Sequence, residues 1–273
     1  MRPALSKQIL LMYSLSVVCM FSACRKTSPE PHPTDSADLK KGLLLYLPFN
    51  GNIADSSGNN NPTQIVGSGA GLTYDMHGYA NAAYGSDGAG SRLEVTNNGS
   101  IQFDTAFTLS LSFMESQVTS SQVLASMVNV TNGFAPSFLV GNSMQFSNNV
   151  WFGAPGSSDC NTYGNSNATD TTNFTPQAEA WYNITCTFNR GTLKTYINGN
   201  LISQKTVSAY SSHICPDEKI VIGGWWDNDP ESLNGKIDNV RLYNRVLSSD
   251  EIALLAQYYQ PTTNSIRQTI STH

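Results

Sequence analysis

Charge is scarce in this chain: Asp, Glu, Lys and Arg make up 13% of its 273 residues. No basic run and no interleaving of aromatic with basic residues occurs, which argues against nucleic acid as a partner, because phosphate contacts need clustered cations. Histidine (four residues) and cysteine (five) are equally sparse. Without a Cys-x-x-Cys or His-rich spacing, a zinc centre is excluded. No Gly-x-Ser-x-Gly elbow exists, and none of His32, His77, His213 and His273 neighbours a plausible nucleophile. No apolar run reaches the roughly 20 residues that a membrane-spanning helix needs. What is abundant is Asn, Ser, Thr and Gly, the composition of a turn-rich β protein from outside the cytoplasm.

The amino terminus is a targeting segment. Arg2 and Lys7 form a basic region, Ile9 to Phe21 a short apolar core, and the small residues Ser22 and Ala23 precede Cys24. The ending Phe-Ser-Ala-Cys resembles a bacterial lipobox, in which Cys24 is lipidated and becomes the first residue; an ordinary secretory peptide that contains a cysteine is the other reading. On the lipobox reading, residues 1–23 are the signal peptide and 24–41 a disordered tether rich in Pro, Thr, Ser and Asp. The expected location is the bacterial outer membrane, facing the periplasm or the cell surface. Cleavage removes two of the 15 basic residues and none of the 20 acidic ones, leaving a net charge of about −7, which disfavours polyanionic partners.

With Cys24 acylated, Cys160, Cys186 and Cys215 allow one intramolecular pair at most. Cys186 shares a strand face with Ile184 and Phe188 and reads as a buried apolar residue. Cys160 and Cys215 lie in polar, loop-like surroundings and are expected to pair.

Ten period-two runs mark strands: Leu43–Phe49, Arg92–Val95, Phe107–Phe113, Ser137–Val140, Val150–Phe152, Tyr182–Phe188, Leu193–Ile197, Leu201–Val207, Lys219–Ile222 and Ile237–Leu242. Asn198-Gly-Asn200 between two of them is a hairpin signal, since Asn-Gly supplies the positive φ of a tight turn. One helix is expected over Ser249–Tyr258, capped by Ser248 or Ser249, with Asp250 and Glu251 complementing its dipole. Short strands without interleaved helices specify a β-sandwich. No internal repeat or second domain boundary is visible, and a polar tail occupies residues 261–273.

Three stretches carry a family resemblance. Leu45-Tyr-Leu-Pro-Phe-Asn-Gly-Asn52 with Asp55-Ser-Ser-Gly58, Trp181–Phe188 with Leu193–Gly199, and Gly235-Lys-Ile-Asp-Asn-Val-Arg-Leu-Tyr243 with Asp250-Glu-Ile252 resemble the opening strand, central hairpin and closing strand of laminin-G-like, concanavalin-A-like domains of bacterial (Bacteroidetes-type) surface lipoproteins. The resemblance covers residues 42–260. It implies an all-β jelly-roll sandwich of two antiparallel sheets with one short C-terminal helix, forming a monomeric domain. It also implies a structural calcium ion, for which Asn52, Asp55, Gly58 and Asn60 of the first loop and Asp238 of the last strand are candidates. Asn50 and Asn59 lie beside them. An Asx-rich turn, with Asp55 bonding local amides, is the alternative use of the same residues.

Function is less constrained. Trp225 and Trp226, followed by Asp227, end a strand where sandwich loops cluster. An exposed Trp beside Asp227 suits a sugar, offering an apolar face and a polar group. Trp151 is a further candidate, with Tyr163 and Tyr210; each aromatic also serves as an ordinary loop cover. The acidic run Asp227, Asp229, Glu231 lacks the Gly that a helix–loop–helix calcium site requires and reads as a solvated loop. Glycosidases of this fold need paired carboxylates, and no Glu-x-Asp-x-Glu run exists. The expectation is therefore a non-catalytic module that binds an extracellular glycan. A protein-binding or adhesion module, or a divergent hydrolase or lyase, are the alternatives.

Overall fold

A computed structural model describes residues 37–118, 120–131, 133, 137–154, 169–208, 214–215, 217–227 and 231–257. Among them fifteen strands run in chain order. The first six are β1 (Leu43–Leu47), β2 (Thr63–Val66), β3 (Ala70–Thr73), β4 (Ala83–Asp87), β5 (Arg92–Thr96) and β6 (Ala106–Glu115). Next come β7 (Gln122–Asn129), β8 (Phe138–Ser143), β9 (Asn149–Gly153), β10 (Thr169–Thr171) and β11 (Trp181–Asn189). The last are β12 (Thr192–Ile197), β13 (Asn200–Thr206), β14 (Glu218–Ile222) and β15 (Asn234–Tyr243), followed by the helix α1 (Ser249–Gln257). No helix among the described residues is long and apolar enough to cross a membrane.

The strands form two antiparallel sheets. Sheet A has the order β13-β12-β11-β6-β15-β4-β3, with β1 also paired to β15; sheet B has the order β10-β9-β8-β7-β14-β5-β2. β15 is the closing strand of sheet A, and its two halves have different neighbours. Asn234–Ile237 pair with β4, whereas Val240–Tyr243 pair with β1, the first strand. A bulge lies between Asp238 and Arg241, with Asn239 at φ 50°. The first and last strands therefore meet in space.

Inward side chains follow the two-residue period. Phe107, Leu109, Leu111 and Phe113 of β6 face Phe138 and Val140 of β8 and Phe152 of β9, all buried. Phe107 lies 5.6 Å from Phe188 in its own sheet and 5.8 Å from Phe138 across the core. Cys186 is free, buried and in line with Ile184 and Phe188, as its position in the run indicated. At the β12–β13 turn Asn198 and Gly199 both have positive φ (50° and 80°), the geometry of a two-residue hairpin.

α1 begins on a reciprocal cap. The Glu251 N–H donates to Ser248 Oγ at 3.2 Å, and the Ser248 N–H donates to Glu251 Oε2 at 2.7 Å. Arg245 binds the same carboxylate through both terminal nitrogens (2.8 and 2.6 Å) and donates to the carbonyls of Asp38 and Lys41. The Arg245 bonds, followed by the Ser248 N–H, pull the Glu251 carboxyl down to about 2. Residues 37–41, assigned above to a free tether, are in fact held against the fold. The Arg245 guanidinium ties their carbonyls down, and Leu39 packs with Leu247, Ile252 and Leu255. Arg245→Ala should cost about 2 kcal/mol by leaving the Glu251 carboxylate unpaired. A urea melt would show a lower midpoint at pH 7, and the deficit should shrink as pH falls towards 2 and Glu251 protonates, leaving the part due to the lost Asp38 and Lys41 carbonyl bonds.

Candidate functional site

The Trp225–Asp227 segment leaves sheet B at the end of β14. The exit requires a glycine: Gly223 has φ 77°, and a Cβ there would stand 3.2 Å from the Tyr84 ring. The Gly223 N–H donates to the Leu124 carbonyl, and the Gly223 carbonyl accepts from the Leu233 N–H as the chain returns to β15. Ser126 Oγ donates to the Gly224 carbonyl at 3.1 Å, and the Asp227 N–H donates to the Val130 carbonyl at 2.7 Å. Two tryptophans are thus suspended between fixed backbone points. Both are half-buried. The Trp226 ring lies over Gly133, where a Cβ would come within 3.3 Å of it. A bare backbone lets the ring lie flat.

Asp227 is positioned by charge. Arg92 of β5, 6% exposed, donates to Glu94 Oε1 at 2.6 and 3.0 Å and also to Asp227 Oδ1. Lys219 Nζ and Gln64 Nε2 donate to Glu94 Oε2 at 2.6 and 2.9 Å. Burial opposes ionisation of Glu94, but the bonds from Lys219, Gln64 and Arg92 outweigh it and hold its carboxyl below the usual range. The Asp227 side chain keeps 48% of its surface exposed. It therefore presents an anchored acceptor beside two aromatic rings. Sequence reasoning missed Arg92 and Glu94, although a buried Arg and Glu two residues apart on one strand face is a signal of this kind of network.

Trp151 lies elsewhere on sheet B. It sits on β9 opposite Gly141 of β8, half-buried, three strand spacings or about 14 Å from β14. Tyr163, Tyr210 and Asp229 fall outside the described residues. Cys160 does too, so its pairing with the buried Cys215 stays an expectation, as does lipidation of Cys24.

The calcium candidates take a different arrangement from the one expected. Asp55 Oδ1 accepts the N–H groups of Tyr46 (3.1 Å) and Ser57 (2.9 Å), and Oδ2 accepts the N–H (3.0 Å) and Nδ2 (2.8 Å) of Asn61. All four lone-pair directions of the carboxylate are filled by amides. Asn52 Oδ1 accepts the Ala54 N–H, and Asn60 Nδ2 donates to the Gly58 carbonyl. Asp238 is 5% exposed and accepts the Asn239 N–H at 2.6 Å. Burial pushes it up to about 7, and the acid that adds to this is Asp75, not Asp55. Among the described residues no group of three His, Cys, Asp or Glu could hold a metal ion. Asp55 thus takes the Asx-turn arrangement, and a calcium ion shared with Asp238 stays an expectation. The tie between first loop and last strand runs through Tyr46. Its N–H binds Asp55, its hydroxyl donates to Asn239 Oδ1 at 3.0 Å, and its ring lies under the Arg241 guanidinium at 4.2 Å.

Two buried carboxyls, Glu115 and Glu218, are each pushed up to about 8 by burial. Glu115 is met by Asn142 and Gln122, Glu218 by Ser137 and the Cys215 N–H, and no second carboxylate acts on either. That is not the opposed pair of a glycosidase. Two aromatic side chains exposed among the described residues, Tyr74 (58%) and Tyr79 (68%), were also missed. They flank a turn closed by Asp75, whose Oδ1 accepts the N–H groups of His77 and Tyr79.

Comparison with known proteins agrees with this architecture. A family model described as the concanavalin A-like lectin/glucanases superfamily (Laminin_G_3) matches residues 87–253, more than half of the chain. No curated protein matches. Among solved structures, the chain is similar to domain 4 of AbnA, a GH43 extracellular arabinanase from Geobacillus stearothermophilus, in complex with arabinotriose. The TM-score is 0.59 at 19% identity, covering 79% of this chain and 98% of that one. It is also similar to the binding domain of botulinum neurotoxin DC in complex with rat synaptotagmin II (TM-score 0.57, 19% identity, 82% and 53% covered). The binding domain of Paraclostridial Mosquitocidal Protein 1 gives 0.61 at 19% identity, with 81% and 53% covered. The chain thus spans about half the length of the two toxin domains. With sheet order, core and family model in agreement, this chain belongs to the concanavalin A-like lectin/glucanase superfamily.

Proposed function

We propose that this protein is a non-catalytic glycan-binding module, lipid-anchored through Cys24 and facing the periplasm or the cell surface. The observation that carries the reading is the pairing of half-buried Trp225 and Trp226 with an Asp227 carboxylate anchored by Arg92. A sugar has C–H faces that stack on aromatic rings and hydroxyls that need fixed acceptors. The site supplies both, on a backbone held at each end, so little ordering opposes binding. Arg92 balances the charge of Asp227, which suits hydrogen bonding better than proton transfer. That arabinanase domain 4 was solved with arabinotriose shows that the fold accommodates a saccharide in at least one relative.

Affinity electrophoresis through gels cast with plant, algal or host polysaccharides tests this. The wild type should be retarded by at least one of them, and Asp227→Ala should weaken that retardation by about tenfold, the value of one hydrogen bond to a charged group. Equal retardation of both proteins would remove Asp227 from the site.

A second reading, a surface protein as partner, is favoured by Tyr74 and Tyr79. Exposed tyrosines on a rigid turn are a common protein-contact device. In that case Tyr79→Ala would abolish capture of the partner and leave polysaccharide retardation unchanged.

A further inference from the structure

The tryptophan loop rejoins the sandwich through residues 231–234, and hydrogen bonds from neighbouring segments fasten this arm. The Val123 N–H donates to the Glu231 carbonyl at 2.7 Å, and the Ser116 N–H donates to the Asn234 carbonyl at 2.9 Å. The Gly90 N–H donates to Ser232 Oγ at 2.8 Å. The Asn234 N–H is held by a side chain. It donates to Gln122 Oε1 at 2.7 Å, and the other end of that amide meets the buried acid Glu115. We propose that Gln122 is a latch through which Glu115 makes the tryptophan surface sensitive to pH. With Glu115 protonated, the amide holds Asn234 and the arm is fastened. When the proton passes to solvent, the amide is drawn to the carboxylate and the arm loosens.

The parts of the latch touch and are tightly enclosed. Gln122 is 1% exposed and Glu115 is fully buried. Neighbours set the orientation of the amide, since the Asn234 N–H requires an acceptor and so turns Nε2 towards Glu115. Nε2 donates to the Gln117 carbonyl at 2.6 Å and, at a long 3.4 Å, to Glu115 Oε2. The arm itself lies close against the acid. Gly235 is opposite Glu115 in the β6–β15 register, and a Cβ on Gly235 would stand 3.0 Å from the Glu115 Cα.

Among the described residues no charged side chain faces the Glu115 carboxyl. β7 and β8 present the amides of Gln122 and Asn142, and Asn142 Nδ2 donates to Oε2 at 2.6 Å. Lys236 of β15 lies on the sheet face opposite to the inward Ile237. Glu179 and Glu231 approach through their backbone: the Glu179 N–H donates to the Glu115 carbonyl, and the Glu231 carbonyl is held by Val123. Asp87 of β4 pairs with Asn234 and is exposed. Burial raises the Glu115 carboxyl to about 8 with no charge to offset it.

Ionisation changes what this carboxyl needs. A buried carboxylate calls for several donors, and Asn142 supplies the one short bond. Gln122 Nε2, at 3.4 Å, is the donor with room to come closer. A hydrogen bond to an ionised group is roughly twice as strong as one between neutral groups, so the carboxylate outcompetes the Asn234 N–H for the position of the amide. The amide is planar, and moving Nε2 towards Glu115 takes Oε1 away from Asn234. Leu233, the residue before Asn234, closes the base of the loop through its N–H on the Gly223 carbonyl at 3.0 Å. That bond carries the change to the tryptophans. The consequence for glycan binding rests on the reading of Trp225–Asp227 given above; the latch itself does not.

Proton–nitrogen NMR of the protein from about pH 6 to about pH 9 tests the latch, with the indole signals assigned through Trp225→Phe and Trp226→Phe. In the wild type both indole signals and the Asn234 amide should move on one curve with a midpoint of about 8. In Glu115→Gln that curve should be absent. In Gln122→Met, which keeps the shape and removes the bonds, the indole signals should no longer follow it; should this variant not fold, Glu115→Gln decides alone. Binding of a polysaccharide that retards the wild type should weaken about fivefold or more across the same range, and not in Glu115→Gln. Static indole signals overturn the proposal, as does an affinity that stays constant while they move. A curve that persists in Glu115→Gln would belong to Glu218 or Asp238 and overturn it equally, and so would one that persists in Gln122→Met. The expected shifts with no polysaccharide bound at any pH would sustain the latch and count against the glycan reading alone.

Discussion

Asp55→Ala should destabilise the domain by about 3–5 kcal/mol, while a chelator should leave the melting midpoint of the wild type where it was. The first half follows from the four amide hydrogens that converge on the Asp55 carboxylate. Alanine would leave the backbone N–H groups of Tyr46, Ser57 and Asn61 and the Asn61 side chain without their acceptor. Each buried unsatisfied group costs about 1–3 kcal/mol, and neighbouring losses do not simply add. Burial disfavours the charge on Asp55, but the Ser57, Asn61 and Tyr46 donors outweigh it and hold its carboxyl below its ordinary value. A group depressed in the folded state stabilises above its unfolded pKa and loses that contribution as pH falls through the folded value. The gap between wild type and Asp55→Ala should therefore narrow below about pH 4. The second half follows from the same bonds, because a calcium ion at Asp55 would have to displace them. A bound ion raises the melting midpoint of the state it binds. A chelator-induced drop of several degrees would show that the loop rearranges around a metal.

Glu115→Gln should act in the opposite sense, stabilising the protein at pH 8 by about 1–3 kcal/mol and hardly at all at pH 5. Glu115 is fully buried, with Oε2 receiving Asn142 Nδ2 at 2.6 Å and Gln122 Nε2 at 3.4 Å, and Oε1 without a hydrogen-bond partner. Burial pushes it up to about 8. A carboxyl raised in the folded state binds its proton there while the unfolded chain has released it. Its contribution is full below the unfolded value near 4.5 and declines, by about 1.4 kcal/mol per pH unit, as pH rises towards 8. Glutamine keeps the shape and never ionises. Glu218, also raised to about 8, and Asp238, raised to about 7, add to the slope. Glu251, Glu94 and Asp55, all depressed, act below about pH 4.5. The wild type should therefore be most stable near pH 5, and thermal melts of both proteins across pH 5–9 would show it. Parallel curves with Glu115→Gln lower throughout would mean that Glu115 is ionised and paired.

Much of the fold was legible because apolar residues alternate with polar ones, even in β6 and β11, where Ser and Thr fill a second buried face. The runs in β6, β11, β12 and β15 show it, and Asn198-Gly199 and Ser248 with Glu251 mark their turn and cap. Strands without that contrast were missed. β7 carries apolar residues on both of its buried faces, so Gln122–Val128 shows no alternation. β10 is three polar residues that exist as a strand through pairing with β9, and Asp170 turns towards Ser203 of the opposite sheet. β3 and β4 are short and glycine-bearing.

The sites were harder to read, for a different reason. Asp55-Ser-Ser-Gly58 has the same residues whether it holds an ion or four amides, and the choice depends on Tyr46 and Asn61 in three dimensions. The acid beside Asp238 is Asp75, which comes from a separate loop. Glu115 was within reach of the pattern, since the period of Phe107, Leu109, Leu111 and Phe113 carries it inward, and a carboxyl on a core face announces a raised pKa.

The central claim is that the Trp225–Asp227 surface recognises a glycan. A glycan array probed side by side with the wild type and Trp226→Ala tests it most directly, with matched melting curves as the control. The account predicts at least one glycan class bound by the wild type and a loss of about tenfold or more in the variant. An empty array, or a bound glycan that Trp226→Ala retains in full, would contradict it.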